Sequence, residues 1–198
     1  MALIMSNVVP QIIEDVTLCP LRTHSDDRGS LTEIFRAAWS DAPTFVQWNF
    51  VRSHAGVLRG FHGHIVHADY LILLQGSASI GLKDLRPHSP TENRAALVNL
   101  NGQELKGLSI PPGVAHGFYF HADSLMVYGV TDYWAAEDEL GCRWDDPELG
   151  IDWPTASASI SERDAILPPL SVFRKQLQAG LQRVKPARIR SAEMVSTV

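Results

Sequence analysis

Apolar positions along this chain fall into short runs of strand length, separated by turn residues. "TFVQWNFVR" (44–52) and "YLILLQ" (70–75) are rich in aromatic and branched side chains. "SASIGLK" (77–83) alternates loosely, and "AALVNL" (95–100), "HGFYFH" (116–121) and "LMVYGVTDY" (125–133) complete the set. Turn signals stand between them at "QGS" (75–77), "NGQ" (101–103) and "PPG" (111–113). Many short strands without intervening helices predict an all-β sandwich or barrel rather than βαβ units. Helical spacing arrives only late. Ser161 is placed to cap a turn through "SERDAI", and "VFRKQLQAGLQRV" (172–184) repeats its apolar residues at roughly helical intervals. The pattern divides the chain into one β domain over 1–170 and a C-terminal helix with a frayed tail over 171–198.

Composition narrows the function classes. A length of 198 residues, 45% hydrophobic and 20% charged, suits a single globular domain with a sizeable core. The formal net charge of -5 offers no basic field for nucleic acid. Cys19 and Cys142 stand apart and form no CxxC pair, which fits a reducing compartment. The opening "MALIMSNVVPQIIEDV" lacks a charged leader and a cleavage pattern, and no run approaches the ~20 apolar residues of a membrane span. A soluble cytoplasmic protein is expected, with no membrane partner.

Chemistry concentrates in "GVLRGFHGHIVHADYLILLQG" (56–76), where His62, His64 and His67 precede Asp69. Residues i and i+2 of a strand share a face, so His62 and His64 are expected to point into one interior. The spacing from Gly56 through His62, His64 and Asp69 to Gly76 resembles the first motif of the cupin superfamily, with Asp69 in place of its glutamate. "PPGVAH" resembles the second motif through Pro111, Gly113 and His116, although Leu105 stands where that motif has a glycine. The resemblance implies a cupin-type double-stranded β-helix, or jelly roll, with short C-terminal helices. His62, His64, Asp69 and His116 would then form a set of nitrogen and oxygen ligands suited to a divalent metal ion.

A second resemblance is more specific. "DDRG" (26–29), "FVQWN" (45–49), "GVLRGFH" (56–62), "DLRPHSPT" (84–91) and "IPPGVAHGF" (110–118) resemble, in order, segments of the dTDP-4-dehydrorhamnose 3,5-epimerase family. So do "VYGVTDYW" (127–134), "WDDPELGIDWP" (144–154) and "SERDA" (161–165). The resemblance implies a homodimer acting on a nucleotide-linked 4-keto-6-deoxy sugar, with no cofactor. It implies that His62 is the catalytic base, Asp164 the carboxylate orienting it, and Tyr128 the general acid on the opposite sugar face. His116, Arg28, Arg59, Gln47 and Asn49 match residues lining the substrate cleft. These types suit the chemistry. Inversion beside a ketone needs a base on one face and an acid on the other, and arginines pair bidentately with a diphosphate.

Three positions depart from the family pattern. Asp69 replaces a lysine expected to stabilise an enolate, and an aspartate there would repel the developing charge. Ile80 replaces an aspartate on the next strand, and Ser30 replaces an aromatic expected against the nucleobase. A divalent ion on His64, Asp69 and His116 would restore the positive charge, whereas an ion that also took His62 would remove the free base. Two further classes follow: a metal-dependent cupin isomerase or dioxygenase, and a ligand-binding cupin without turnover.

Overall fold

The computed structural model describes residues 13–37, 39, 44–135 and 138–184. Twelve strands run in chain order: β1 (Thr17–Pro20), β2 (Thr23–Asp26), β3 (Gly29–Thr32), β4 (Gln47–Ser53), β5 (Leu58–Gly63) and β6 (Asp69–Gln75). They continue as β7 (Ser77–Asp84), β8 (Ala95–Asn101), β9 (Lys106–Ile110), β10 (Val114–Phe120), β11 (Ser124–Val130) and β12 (Leu140–Gly141). A short 3-10 turn (Pro147–Leu149) and helices α1 (Glu162–Ala165) and α2 (Leu170–Arg183) follow. Two five-stranded antiparallel sheets, ordered β1-β9-β6-β11-β4 and β12-β5-β10-β7-β8, face each other as a jelly roll, and β2-β3 forms a separate hairpin. The all-β expectation is met. Strands β1, β2, β3, β9 and β12 carry no strong apolar run, so pairing with neighbours defines them.

The inward residues of both sheets, among them Leu71, Leu73, Ile80, Leu82, Leu108, Phe120 and Met126, make the core between the layers. Ile80 is fully buried there. Strand β4 reverses the usual order. Its inward positions Gln47 and Asn49 are polar and half-buried, while Val46, Trp48 and Phe50 face outward at 44%, 40% and 55% exposure. Polar residues turned inward on a sheet edge mark a lined cavity rather than a packed interior.

A second core lies outside the other sheet. Leu170, Phe173 and Leu177 of α2 pack on Phe61, Leu85 and Ala115. The helix starts two residues before the predicted 172, because Pro169 has the backbone angles of a helix entry and Leu170 begins the buried stripe. The expected boundary between 170 and 171 therefore falls inside a helix that is packed on the β domain. The expected frayed tail over 185–198 lies outside the described residues.

The "PPG" turn ties the two histidine motifs together. Gly113 adopts φ +83, a conformation that favours glycine, and its N–H donates to the carbonyl of His64 at 2.8 Å. "DLRPHSPT" forms a buried polar knot: Asp84 accepts from the forked Arg86 guanidinium and from the Ser89 and Thr91 hydroxyls. No helix among the described residues is long and apolar enough to cross a membrane.

Candidate active site

Between the sheets opens a cavity of about 500 Å³, lined by Asn49, Arg59, His62, His64, His67, Asp69, His116, Tyr128, Trp134, Glu139, Arg163 and Asp164. Strand register explains the convergence. His62 of β5 lies opposite His116 of β10, and Tyr128 of β11 lies between Asn49 of β4 and Leu71 of β6. Asp69 opens β6 opposite Val130.

Nε2 of His62 is 2.8 Å from Oδ1 of Asp164, across 102 residues of sequence. Asp164 is placed by α1, where the Ser161 hydroxyl accepts from the Asp164 N–H at 3.0 Å and caps the helix. Burial opposes ionisation of Asp164, but hydrogen bonds from His62, Ser161 and Gly60 hold its carboxyl below the ordinary value. An ionised carboxylate is therefore fixed on one ring nitrogen. The other, Nδ1, faces Oε1 of Glu139 at 3.6 Å. Glu139 also pairs with Arg163 at 3.8 Å and receives the Trp134 indole N–H. Burial first, then the charges of Asp69 and Glu139, raise the Tyr128 phenol above its usual range, so it stays protonated near neutrality.

His64, Asp69 and His116 make a separate cluster. Oδ2 of Asp69 is 3.7 Å from Nε2 of His64 and 3.9 Å from Nε2 of His116. All three residues are buried. Burial pulls His64 down to about 3, with His67 adding to the effect, and pulls His116 well below the histidine range. Burial lifts Asp69 to about 7. Behind them His67 stacks on His64 at 3.9 Å and pairs with Asp138 at 3.0 Å. Burial disfavours the His67 cation, but Asp138 and Asp69 outweigh it and raise its pKa.

The structure places the expected site residues in different surroundings. His62 and His64 both line the cavity, yet His62 does not join the metal-type groups found among the described residues, which are His64–Asp69–His116 and His64–His67–Asp138. The shared interior is as expected, but His62 is taken up by Asp164 at 2.8 Å while His64 lies 3.7 Å from Asp69. Arg28 lies outside the cavity. It is exposed on the β2-β3 hairpin, pairs with Asp26 at 2.6 Å, and lines a shallow concavity with Ser30 and Leu31. Gln47 is set back from the wall, donating to Asn49 at 3.0 Å and accepting from the Trp134 N–H at 3.1 Å. Arg59 sits at the rim, its Nε donating to Ser53 at 2.8 Å. Glu139, Trp134, Arg163 and Asp138 carry no distinguishing signal in the sequence. They occur in an irregular segment or a short helix, where no periodicity or spacing marks them.

The geometry can be set beside known proteins. A family model described as dTDP-4-dehydrorhamnose 3,5-epimerase matches residues 10–171. The dTDP-4-dehydrorhamnose 3,5-epimerase of Pseudomonas aeruginosa is 38% identical over 164 residues, covering 77% of this chain and 89% of that protein. A Legionella pneumophila dTDP-6-deoxy-D-glucose-3,5-epimerase, solved with dTDP-4-keto-L-rhamnose, superposes with a TM-score of 0.77 at 32% identity, covering 83% of this chain and 93% of that one. A 4-keto-6-deoxy sugar epimerase from the novobiocin gene cluster of Streptomyces spheroides gives a TM-score of 0.78 at 29% identity, covering 87% and 89%. With this fold, this order of motifs and a match spanning most of its length, the chain belongs to the dTDP-4-dehydrorhamnose 3,5-epimerase family.

Proposed function

We propose that this protein epimerises a nucleotide-linked 4-keto-6-deoxy sugar, with dTDP as the carrier, by moving protons at carbons beside the ketone. The observation that carries the reading is the 2.8 Å contact of His62 and Asp164 on the wall of a cavity that also holds Tyr128. In this role His62 uses Nδ1 to take a carbon-bound proton, because Nε2 is committed to Asp164. Asp164 fixes the ring and stabilises the imidazolium. Tyr128, protonated near neutrality, returns a proton to the other face. Arg59 at the rim meets the diphosphate. The relatives support the substrate class: the Legionella enzyme holds a dTDP-linked keto sugar. The test is incorporation of solvent deuterium into dTDP-4-keto-6-deoxyglucose. Exchange by the wild type but not by His62→Ala supports the reading, and equal exchange by both overturns it.

The same reading includes a cytoplasmic homodimer. Outward Trp48 and Phe50 on edge strand β4, and Leu31 on the hairpin at 63% exposure, offer an apolar surface for a second copy. Arg28 then serves the diphosphate from the hairpin of the partner subunit, since its own cavity is out of its reach.

A further inference from the structure

We propose that His64, Asp69 and His116 hold one divalent first-row transition ion on the cavity wall, apart from the His62–Asp164 pair. Three features of the cluster carry this. First, the tautomers are fixed. Nδ1 of His64 meets the carbonyl of Asp138 at 3.4 Å and Nδ1 of His116 meets the carbonyl of Val114 at 3.3 Å. A carbonyl only accepts, so each Nδ1 bears the hydrogen and each Nε2 presents a lone pair. This is how a second partner prepares an imidazole for a metal.

Second, those lone pairs converge on an anion. Both Nε2 atoms face Oδ2 of Asp69, at 3.7 and 3.9 Å, too far to be hydrogen bonds. Ligand atoms of the three residues lie within 4.8 Å of one another, and a cation between them would offset the mutual repulsion of two lone pairs and a carboxylate oxygen. The separations exceed by a few tenths of an ångström the edge of roughly 3.4 Å that tetrahedral ligands make around bonds of about 2.1 Å. Small side-chain rotations close that gap.

Third, the surroundings suit an ion of this class. The three residues are 6%, 5% and 4% exposed and still line the cavity, so a bound ion keeps open positions towards it. Two imidazoles with one carboxylate favour manganese, iron, cobalt, nickel or zinc over calcium or magnesium. The neighbouring group of His64, His67 and Asp138 is the weaker candidate, because the Asp138 carboxylate already accepts from the Ile65 and Val66 N–H groups and pairs with His67. His62 stands apart: its Nε2 is engaged by Asp164 at 2.8 Å, and it belongs to neither metal-type group among the described residues. In this cavity an ion would offer a Lewis acid to a substrate oxygen.

The test needs no substrate, so it fails or succeeds independently of the proposed reaction. The full-length protein is stripped with chelator and titrated with Co²⁺, and then with Zn²⁺ in competition. One ion per chain is expected, with the visible bands of a low-coordinate cobalt site. His64→Ala, Asp69→Asn and His116→Ala should each weaken binding at least about a hundredfold, beyond the loss of an outer partner, and His62→Ala should retain it. Circular dichroism checks that each variant folds. Should one not fold, histidine nitrogen NMR of the wild type decides, with Zn²⁺ expected to shift Nε2 of His64 and His116. Binding well below one ion per chain, binding indifferent to all three substitutions, loss in His62→Ala, or unmoved Nε2 signals would each overturn the assignment.

Discussion

Oε1 of Glu139 stands 3.6 Å from Nδ1 of His62, on the opposite side of the ring from Asp164. His62 is therefore held between two carboxylates; in the proposed reaction one fixes its orientation and the other stands beside the nitrogen that meets substrate. His62→Ala should lower turnover at least about a hundredfold. Asp164→Asn should cost less, because the ring remains and only its anchor weakens. Glu139→Gln should cost roughly tenfold, equivalent to about 1.4 kcal/mol of barrier. Steady-state rates with a 4-keto sugar nucleotide check the order, and a Glu139→Gln enzyme with unchanged turnover removes the second carboxylate from the account.

Tyr128 should separate exchange from inversion. With the hydroxyl gone in Tyr128→Phe, His62 still abstracts and returns a proton on its own face, so solvent deuterium should enter the sugar while epimer formation falls at least about a hundredfold. NMR of the sugar ring follows both events in one sample. Parallel loss of both would assign Tyr128 to binding or packing instead.

Arg28 gives a test by complementation. Arg28→Ala and His62→Ala should each be nearly inactive as pure proteins. If the hairpin serves the partner subunit, a mixed dimer rebuilds one of its two sites, and an equimolar random mixture should recover about a quarter of wild-type activity. No recovery after verified subunit exchange would overturn service across the subunits, and a fully active Arg28→Ala would place Arg28 outside the site. Arg59→Lys, in contrast, should weaken dTDP binding in every mixture, because an ammonium cannot reproduce the planar fork.

Asp84 sets an acid limit on stability. Burial opposes its charge, but Arg86, Ser89 and Thr91 hold its pKa at about 2 against an ordinary 3.8. A depressed pKa contributes stability that is complete above 3.8 and is lost as the pH falls towards about 2. Asp84→Asn should lower stability at neutral pH by roughly 2 kcal/mol and flatten the acid dependence in that window. Urea unfolding of both proteins across the window measures it. An unchanged acid slope would show that other carboxylates dominate.

Phe173 joins α2 to the strand that carries His62. Its ring lies under Gly63, with Cζ 2.9 Å from where a Cβ on that glycine would stand, and it is fully buried. Phe173→Ala should cost about 3–5 kcal/mol of unfolding free energy. A loss below about 1 kcal/mol, read from denaturant midpoints, would mean that α2 is peripheral rather than part of the fold.

Local information determined a good deal of this protein. The apolar runs of β4, β6, β7, β8, β10 and β11 are visible because each side chain has to face one layer or the other, and strand periodicity records that choice residue by residue. His62, Tyr128 and Asp164 were recognisable because motifs preserve residue identity even where 102 residues separate partners. Tertiary structure alone decided the rest. His64 follows the last residue of β5, and folding brings its Nε2 to 3.7 Å from Asp69, whose carboxylate is 3.9 Å from His116. Glu139 reads as one acid in the run "EDEL" (137–140), and becomes a neighbour of His62 because β12 pairs with β5, Leu140 opposite Gly63 and Gly141 opposite His62. Arg28 has the right chemistry for a diphosphate, but its hairpin pairs with neither main sheet. Sequence specifies which groups are present. Which of them meet depends on where strands stop and which edges pair, and those outcomes are settled by long-range packing.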